Sequence, residues 1–165
     1  MEKTASQQEE KQPEKSRTGE ALNRAMALCS RTEYCISDIR QKLESWGLES
    51  DKAGDVIAVL IRENFINEER YAGAFVRDKY RYNKWGRVKL ISHLRAKGIP
   101  SGIIDSAMSF LDDGEYRQMI KDMLHSHRKS IKAKNQYDLK GKLLRYGLSK
   151  GFESSLLYDI LNDLE

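Results

Sequence analysis

Three near-copies of one helix ending constrain this chain more than any other feature. Ile39-x-x-x-Leu43-x-x-x-Gly47-Leu48 is followed by Leu90-x-x-x-Leu94-x-x-x-Gly98-Ile99, and then by Leu139-x-x-x-Leu143-x-x-x-Gly147-Leu148. Apolar residues four apart share one helix face. A glycine in the left-handed conformation closes such a helix, and the next apolar residue folds back over its last turn. The match continues beyond each glycine. Val56, Ala107 and Leu156 lie nine residues on, Ile57, Met108 and Leu157 ten, and Leu60, Leu111 and Ile160 thirteen. Equal offsets at spacings of 51 and then 49 residues predict a tandem repeat.

The expected fold is therefore all-α: three tandem three-helix modules forming an elongated, curved helical array. Helical periodicity places helices near 19–30, 37–46, 51–63, 68–83, 87–97, 102–111, 114–130, 136–146 and 153–163. Alternating β-branched stretches and hairpin turns are missing. The modules are expected at 19–66, 67–112 and 113–165. Asn67, Ser37, Ser50, Ser101 and Asn135 are the expected helix caps, because a short polar side chain can accept from the free N–H groups of a first turn. Residues 1–18 are rich in Glu, Lys and Gln and are expected to form a disordered lead-in. They lack the apolar stretch of a secretory signal, and the chain has no apolar run of the roughly 18–20 residues that spans a membrane. A cytoplasmic protein is the expectation. Cys29 and Cys35 have no second cysteine pair to complete a metal site and are expected to be free thiols.

Charge is distributed in blocks. Residues 68–97 carry nine bases against three acids and 117–145 nine against two, whereas 38–69 carry eight acids against four bases and 152–165 four acids alone. Such alternation suits a surface with two kinds of partner. No phosphate-binding glycine loop, nucleophile elbow or H-E-x-x-H motif occurs. His93, His125 and His127 read as surface or packing residues, and no catalytic residue, cofactor or metal site is expected.

The fourth helix carries Arg70, Arg77, Arg81 and Lys84 at spacings of seven, four and three. At about 100° per residue these fall in one stripe, a track for phosphates or for an acidic protein groove. Arg87, Lys89, Arg95 and Lys97 add to the field. Tyr80, Tyr82 and Trp85 interleave with these bases. They could stack on unpaired bases, although a Trp before Gly86 at an interhelix turn more often fills a core. A second basic cluster contains Arg128, Lys129, Lys132, Lys134, Lys140, Lys142 and Arg145, several of them bracketing the turn between the seventh and eighth helices. Solvated helix faces alone would also produce such charge.

The segment Leu60-Ile-Arg-Glu-Asn-Phe-Ile-Asn-Glu-Glu-Arg-Tyr-Ala-Gly-Ala-Phe-Val-Arg resembles the hallmark of the RecX family, a helix end, an apolar-acidic turn and a helix opening with Tyr-Ala. Gly86-Arg-Val-Lys-Leu-Ile-Ser-His-Leu-Arg-Ala-Lys-Gly-Ile resembles the family's Gly-x-x-x-Ile-x-x-x-Leu-x-x-Lys-Gly-Ile pattern, and the resemblance covers roughly residues 20–163. One turn departs from it, reading Ile66-Asn67-Glu68 where the family reads Ile-Asp-Asp. The resemblance implies a bacterial regulator that binds the RecA recombinase filament on DNA and restrains filament growth, ATP hydrolysis and strand exchange, with no cofactor and no catalysis. It would be a monomer binding single- and double-stranded DNA weakly by itself, with no membrane partner. The alternatives are a stand-alone nucleic-acid-binding helical module, which would hold naked duplex tightly, and a helical adaptor that binds no nucleic acid.

Overall fold

The computed structural model describes residues 14–164. Among them the regular elements are nine helices: α1 Glu14–Arg31, α2 Ile36–Ser45, α3 Ser50–Arg62, α4 Glu68–Asn83, α5 Arg87–Ala96, α6 Ser101–Met108, α7 Asp113–Arg128, α8 Gln136–Ser149 and α9 Ser154–Asp163. The first helix begins five residues before the expected position, so 14–18 of the expected lead-in are helical; residues 1–13 lie outside the described residues. The chain divides into two compact units, Met1–Asn67 and Glu68–Glu165.

The first unit packs α1, α2 and α3 against one another. Ala21 and Ala25 are the buried residues of α1, and their small side chains let it approach Ile39 and Leu43 of α2 and Val56, Ile57 and Leu60 of α3. Each large aliphatic chain buried there contributes about 1.5–3 kcal/mol. Cys35 is buried and Cys29 half-buried, both as free thiols, and burial raises the Cys35 thiol above its ordinary value.

In the second unit α4, α5 and α6 pack together, as do α7, α8 and α9 around Tyr116, Ile120, Leu124, Leu143, Phe152, Leu157 and Ile160. Tyr80 of α4 lies against this second cluster and stacks on Tyr116 at 6.3 Å between ring centroids. Tyr80 therefore links the two sets of three helices.

Backbone hydrogen bonds correct the register of the third repeat. Gly47 N–H donates to Glu44 O at 3.0 Å and Leu48 N–H to Leu43 O at 3.1 Å, the paired bonds of a Schellman ending. Gly98 and Ile99 repeat them onto Arg95 and Leu94. In the third module the same pair is made by Gly151 onto Leu148 and by Phe152 onto Gly147. The left-handed glycines are Gly47, Gly98 and Gly151, with φ of 88°, 76° and 88°. Gly147 lies buried inside α8, which runs one turn further than expected. A Cβ there would come within 2.5 Å of Leu157 Cδ2, so the absent side chain is what lets α9 approach. In structural register, Leu143, Gly147 and Gly151 correspond to Ile39, Leu43 and Gly47. The α9 residues equivalent to Val56, Ile57 and Leu60 are then Ile160, Leu161 and Leu164, not Leu156, Leu157 and Ile160.

Caps differ from expectation in part. Asn135 caps α8 through Asp138 N–H at 2.9 Å, as its sequence position predicts. Ser37, Ser50 and Ser101 lie inside their helices, whose N-cap residues Cys35, Glu49 and Pro100 make no side-chain cap bond. Asp112 caps α7 through Glu115 N–H at 2.9 Å.

Candidate nucleic-acid interface

All fifteen basic residues singled out in the sequence lie in the second unit. Residues 1–67 contain ten bases and twelve acids, net −2; residues 68–165 contain nineteen and thirteen, net +6. Basic charge thus segregates onto the unit that joins the second and third modules.

In α4, Tyr71, Ala72 and Val76 are buried, which turns Arg77 and Arg81 to solvent. The Arg77 guanidinium lies over Gly73, where an added Cβ would stand 3.2 Å from Nη1. Arg70 is exposed and has interactions of its own. Lys84 does not continue the helical stripe. The helix ends at Asn83, and Lys84 adopts a left-handed φ of 56°. It borders an open groove along α7 whose other lining includes Glu115, Gln118 and Asp122, so acids do relieve this end of the track.

Arg87 is half-buried and committed to partners within the unit. Its guanidinium pairs with Asp113 and, through Nη1 at 3.3 Å, with Glu153 Oε2, and lies 4.1 Å from the Tyr116 ring centroid. Burial alone would lower its pKa, but the two carboxylates outweigh this and raise it above the ordinary arginine value. The Tyr116 hydroxyl accepts from Arg87 N–H at 3.0 Å and donates to Glu153 Oε1 at 2.6 Å. Burial and that bond hold the phenol well above the usual tyrosine range. Beside this cluster the start of α5 meets the end of α8. Gly86 N–H donates to Lys150 O at 2.7 Å and Val88 N–H to Gly151 O at 3.0 Å. The carbonyl end of one helix therefore satisfies the free N–H groups of another, with opposite dipole ends in contact. Neither glycine has room for a side chain: a Cβ on Gly86 would lie 2.3 Å from Gly151 O, and one on Gly151 would lie 2.2 Å from Lys89 Cβ.

Trp85 fills a half-buried site, with His93 at 4.6 Å, Phe75 edge-on at 6.0 Å, and the ammonium groups of Lys89 and Lys79 at 4.5 and 5.1 Å. Lys89 also donates to Ser149 O at 3.5 Å. These contacts make Trp85 and Lys89 parts of the scaffold, whereas Tyr82 is 75% exposed. Arg95 is exposed, and Lys97 is the half-buried C-cap of α5.

In the third module Arg128 closes α7, and Lys129, Lys132 and Lys134 follow it, all four exposed. Lys142 braces this turn from α8, donating to Lys132 O at 2.6 Å and pairing with Asp138 at 3.1 Å. The Lys134 backbone N–H, and then Lys142, hold the Asp138 carboxyl below its ordinary value. Arg145 is exposed and Lys140 half-buried. His127 stacks on Tyr146 at 3.7 Å, a packing role. Among the described residues no group of three or more His, Cys, Asp or Glu could hold a metal ion, and no helix is long and apolar enough to cross a membrane.

Successive sets of three packed helices, with basic charge concentrated in the second unit, define a class of helical protein rather than a particular chemistry. Residues 67–108 match the family model for the second three-helix domain of RecX. The regulatory protein RecX of Clostridium beijerinckii is 30% identical over 139 residues, covering 83% of this chain and 64% of that protein. The one from Prosthecochloris aestuarii is 28% identical over 150 residues, covering 90% and 96%. The crystal structure of RecX from Lactobacillus salivarius superposes with a TM-score of 0.77 at 22% identity, over 91% of this chain and 97% of that one. Most of this chain is thus similar to regulatory RecX proteins. It spans 54–65% of the length of five Clostridium and Lactobacillus relatives it matches.

Proposed function

We propose that this protein regulates RecA, binding the RecA–DNA filament and restraining its growth, ATP hydrolysis and strand exchange. The reading is supported by the relatives named regulatory protein RecX, and by the segregation of basic charge onto the second unit. Its mode of action is binding alone, as a cytoplasmic monomer without cofactor. The exposed bases Arg77, Arg81, Arg128, Lys129, Lys132 and Lys134 approach the DNA of the filament, with Arg70, Lys84, Arg95, Lys97, Lys140 and Arg145 nearby. Arg87, Lys89 and Lys142 act through the scaffold, since their cationic groups already have partners within the protein. Each phosphate neutralised makes the affinity fall more steeply with salt.

The test adds the protein to the cognate RecA on single-stranded DNA and follows ATP turnover. A fall at substoichiometric to equimolar protein is expected, and unchanged turnover would refute the proposal. Reversing Arg77, Arg81 and Lys84 to Glu should weaken filament binding and flatten its salt dependence; an unchanged profile would remove these residues from the interface. Tight, salt-sensitive binding to naked duplex without any effect on RecA would instead favour the stand-alone nucleic-acid-binding module.

A further inference from the structure

The groove between α8 and α9 has a composition that neither packing nor solubility explains. Tyr137 is 89% and Tyr158 55% exposed, and both line one cavity of about 390 Å³. Large aromatic side chains left in water are unfavourable by the area they fail to bury. Here two of them lie on facing helices. On α8, Tyr137, Lys140, Gly141, Leu144 and Arg145 follow the i, i+3, i+4, i+7, i+8 spacing of a single face. Tyr158, Leu161 and Asn162 repeat the start of that spacing on α9. Leu144 and Leu161 supply an apolar floor. Gly141 leaves it open, since a Cβ there would meet nothing within 4 Å.

We propose that this groove binds an unpaired nucleobase of a single DNA strand, stacked on Tyr137 and Tyr158, with the adjoining phosphate against Arg145 and Lys140. The chemistry favours this occupant over an apolar peptide. Flat aromatic faces beside cations match a flat base linked to an anion, and the α8 wall of the groove belongs to the basic stretch 117–145. Asn162 offers both a donor and an acceptor to a base edge. Asp138 is the acid among the lining residues, and its carboxylate is already engaged by the Lys134 N–H at 3.0 Å and the Lys142 ammonium at 3.1 Å. The assignment rests on the reading that the second unit meets DNA, and it names the form of DNA met there.

The experiment uses the full chain and two oligonucleotides of equal length, one of deoxythymidines and one of abasic residues, with affinity read by anisotropy in the absence of RecA. The wild type should hold the base-containing strand about ten-fold more tightly. Tyr137→Ala with Tyr158→Ala should abolish that preference and leave the abasic strand bound as before, while Tyr137→Phe with Tyr158→Phe should retain it. Equal affinity of the wild type for both strands, or a preference that survives the alanine pair, overturns the proposal. So does an alanine pair that loses RecA binding with strand preference intact, because the groove is then a protein site. RecA is absent from the oligonucleotide assay, so failure of the regulatory reading would appear in ATP turnover and leave this result standing.

Discussion

Gly47 and Gly151 close their helices with the same two backbone hydrogen bonds and the same φ of 88°, yet their surroundings are opposite. Around Gly47 a Cβ would meet nothing within 4 Å, and the same holds for Gly98. Around Gly151 it would strike Lys89, because the start of α5 docks on the end of α8. One sequence device therefore does two physical jobs. In the first two modules glycine is there for its backbone alone. In the third it also admits another helix. The join between helix sets inside the second unit depends on backbone meeting backbone at Gly86 and Gly151, a contact that any side chain would pry open.

The largest effect should come from Gly151→Ala, which combines left-handed strain with a clash against the Lys89 backbone. About 3 kcal/mol or more should be lost from the second unit, measured by urea unfolding through Trp85 fluorescence in a Trp46→Phe background, with the first unit followed through Trp46 in a Trp85→Phe background. A loss no greater than that of Gly47→Ala would break the comparison. Gly147→Ala ranks next at about 1–3 kcal/mol, because Leu157 is a flexible side chain and can partly yield. Gly47→Ala and Gly98→Ala should each cost about 1–2 kcal/mol, from backbone strain alone.

The smallest effect at neutral pH belongs to Tyr116. Its pKa is raised by burial and by the bond to Glu153, so the fold favours the neutral phenol. The resulting stability is complete below the ordinary tyrosine value near 10 and is lost as pH rises beyond it. Alkaline unfolding of wild type should therefore show a decline above about pH 10 that is shallower in Tyr116→Phe, followed by circular dichroism. Identical alkaline profiles would show that the phenol contributes nothing to the α5–α8 join.

Much of the fold is legible in local pattern. The spacing of Ile39, Leu43 and Gly47 predicts a helix, its buried face and its ending, because all three depend on backbone geometry within a few residues. The third repeat misleads for a physical reason. Gly147 sits where a capping glycine would, four residues after Leu143, and nothing local separates it from the true cap at Gly151. What decides between them is the close approach of Leu157, a contact made across the module. The basic residues sort in a similar way. Arg77 and Arg87 carry the same charge in sequence, but one faces solvent and the other is held by Asp113 and Glu153, which lie 26 and 66 residues further along. Nor does local pattern single out Tyr137 and Tyr158, which become a pair only when α8 and α9 pack.

By itself the sequence determined that this protein is helical, repetitive and basic in its second and third modules, since periodicity, turn glycines and charge are properties of neighbouring residues. Tertiary structure alone decided which glycine ends α8, which cations are consumed within the fold, and which aromatics meet across a groove. Each of those depends on residues brought together by packing, where a few ångströms separate a bound charge from an exposed one.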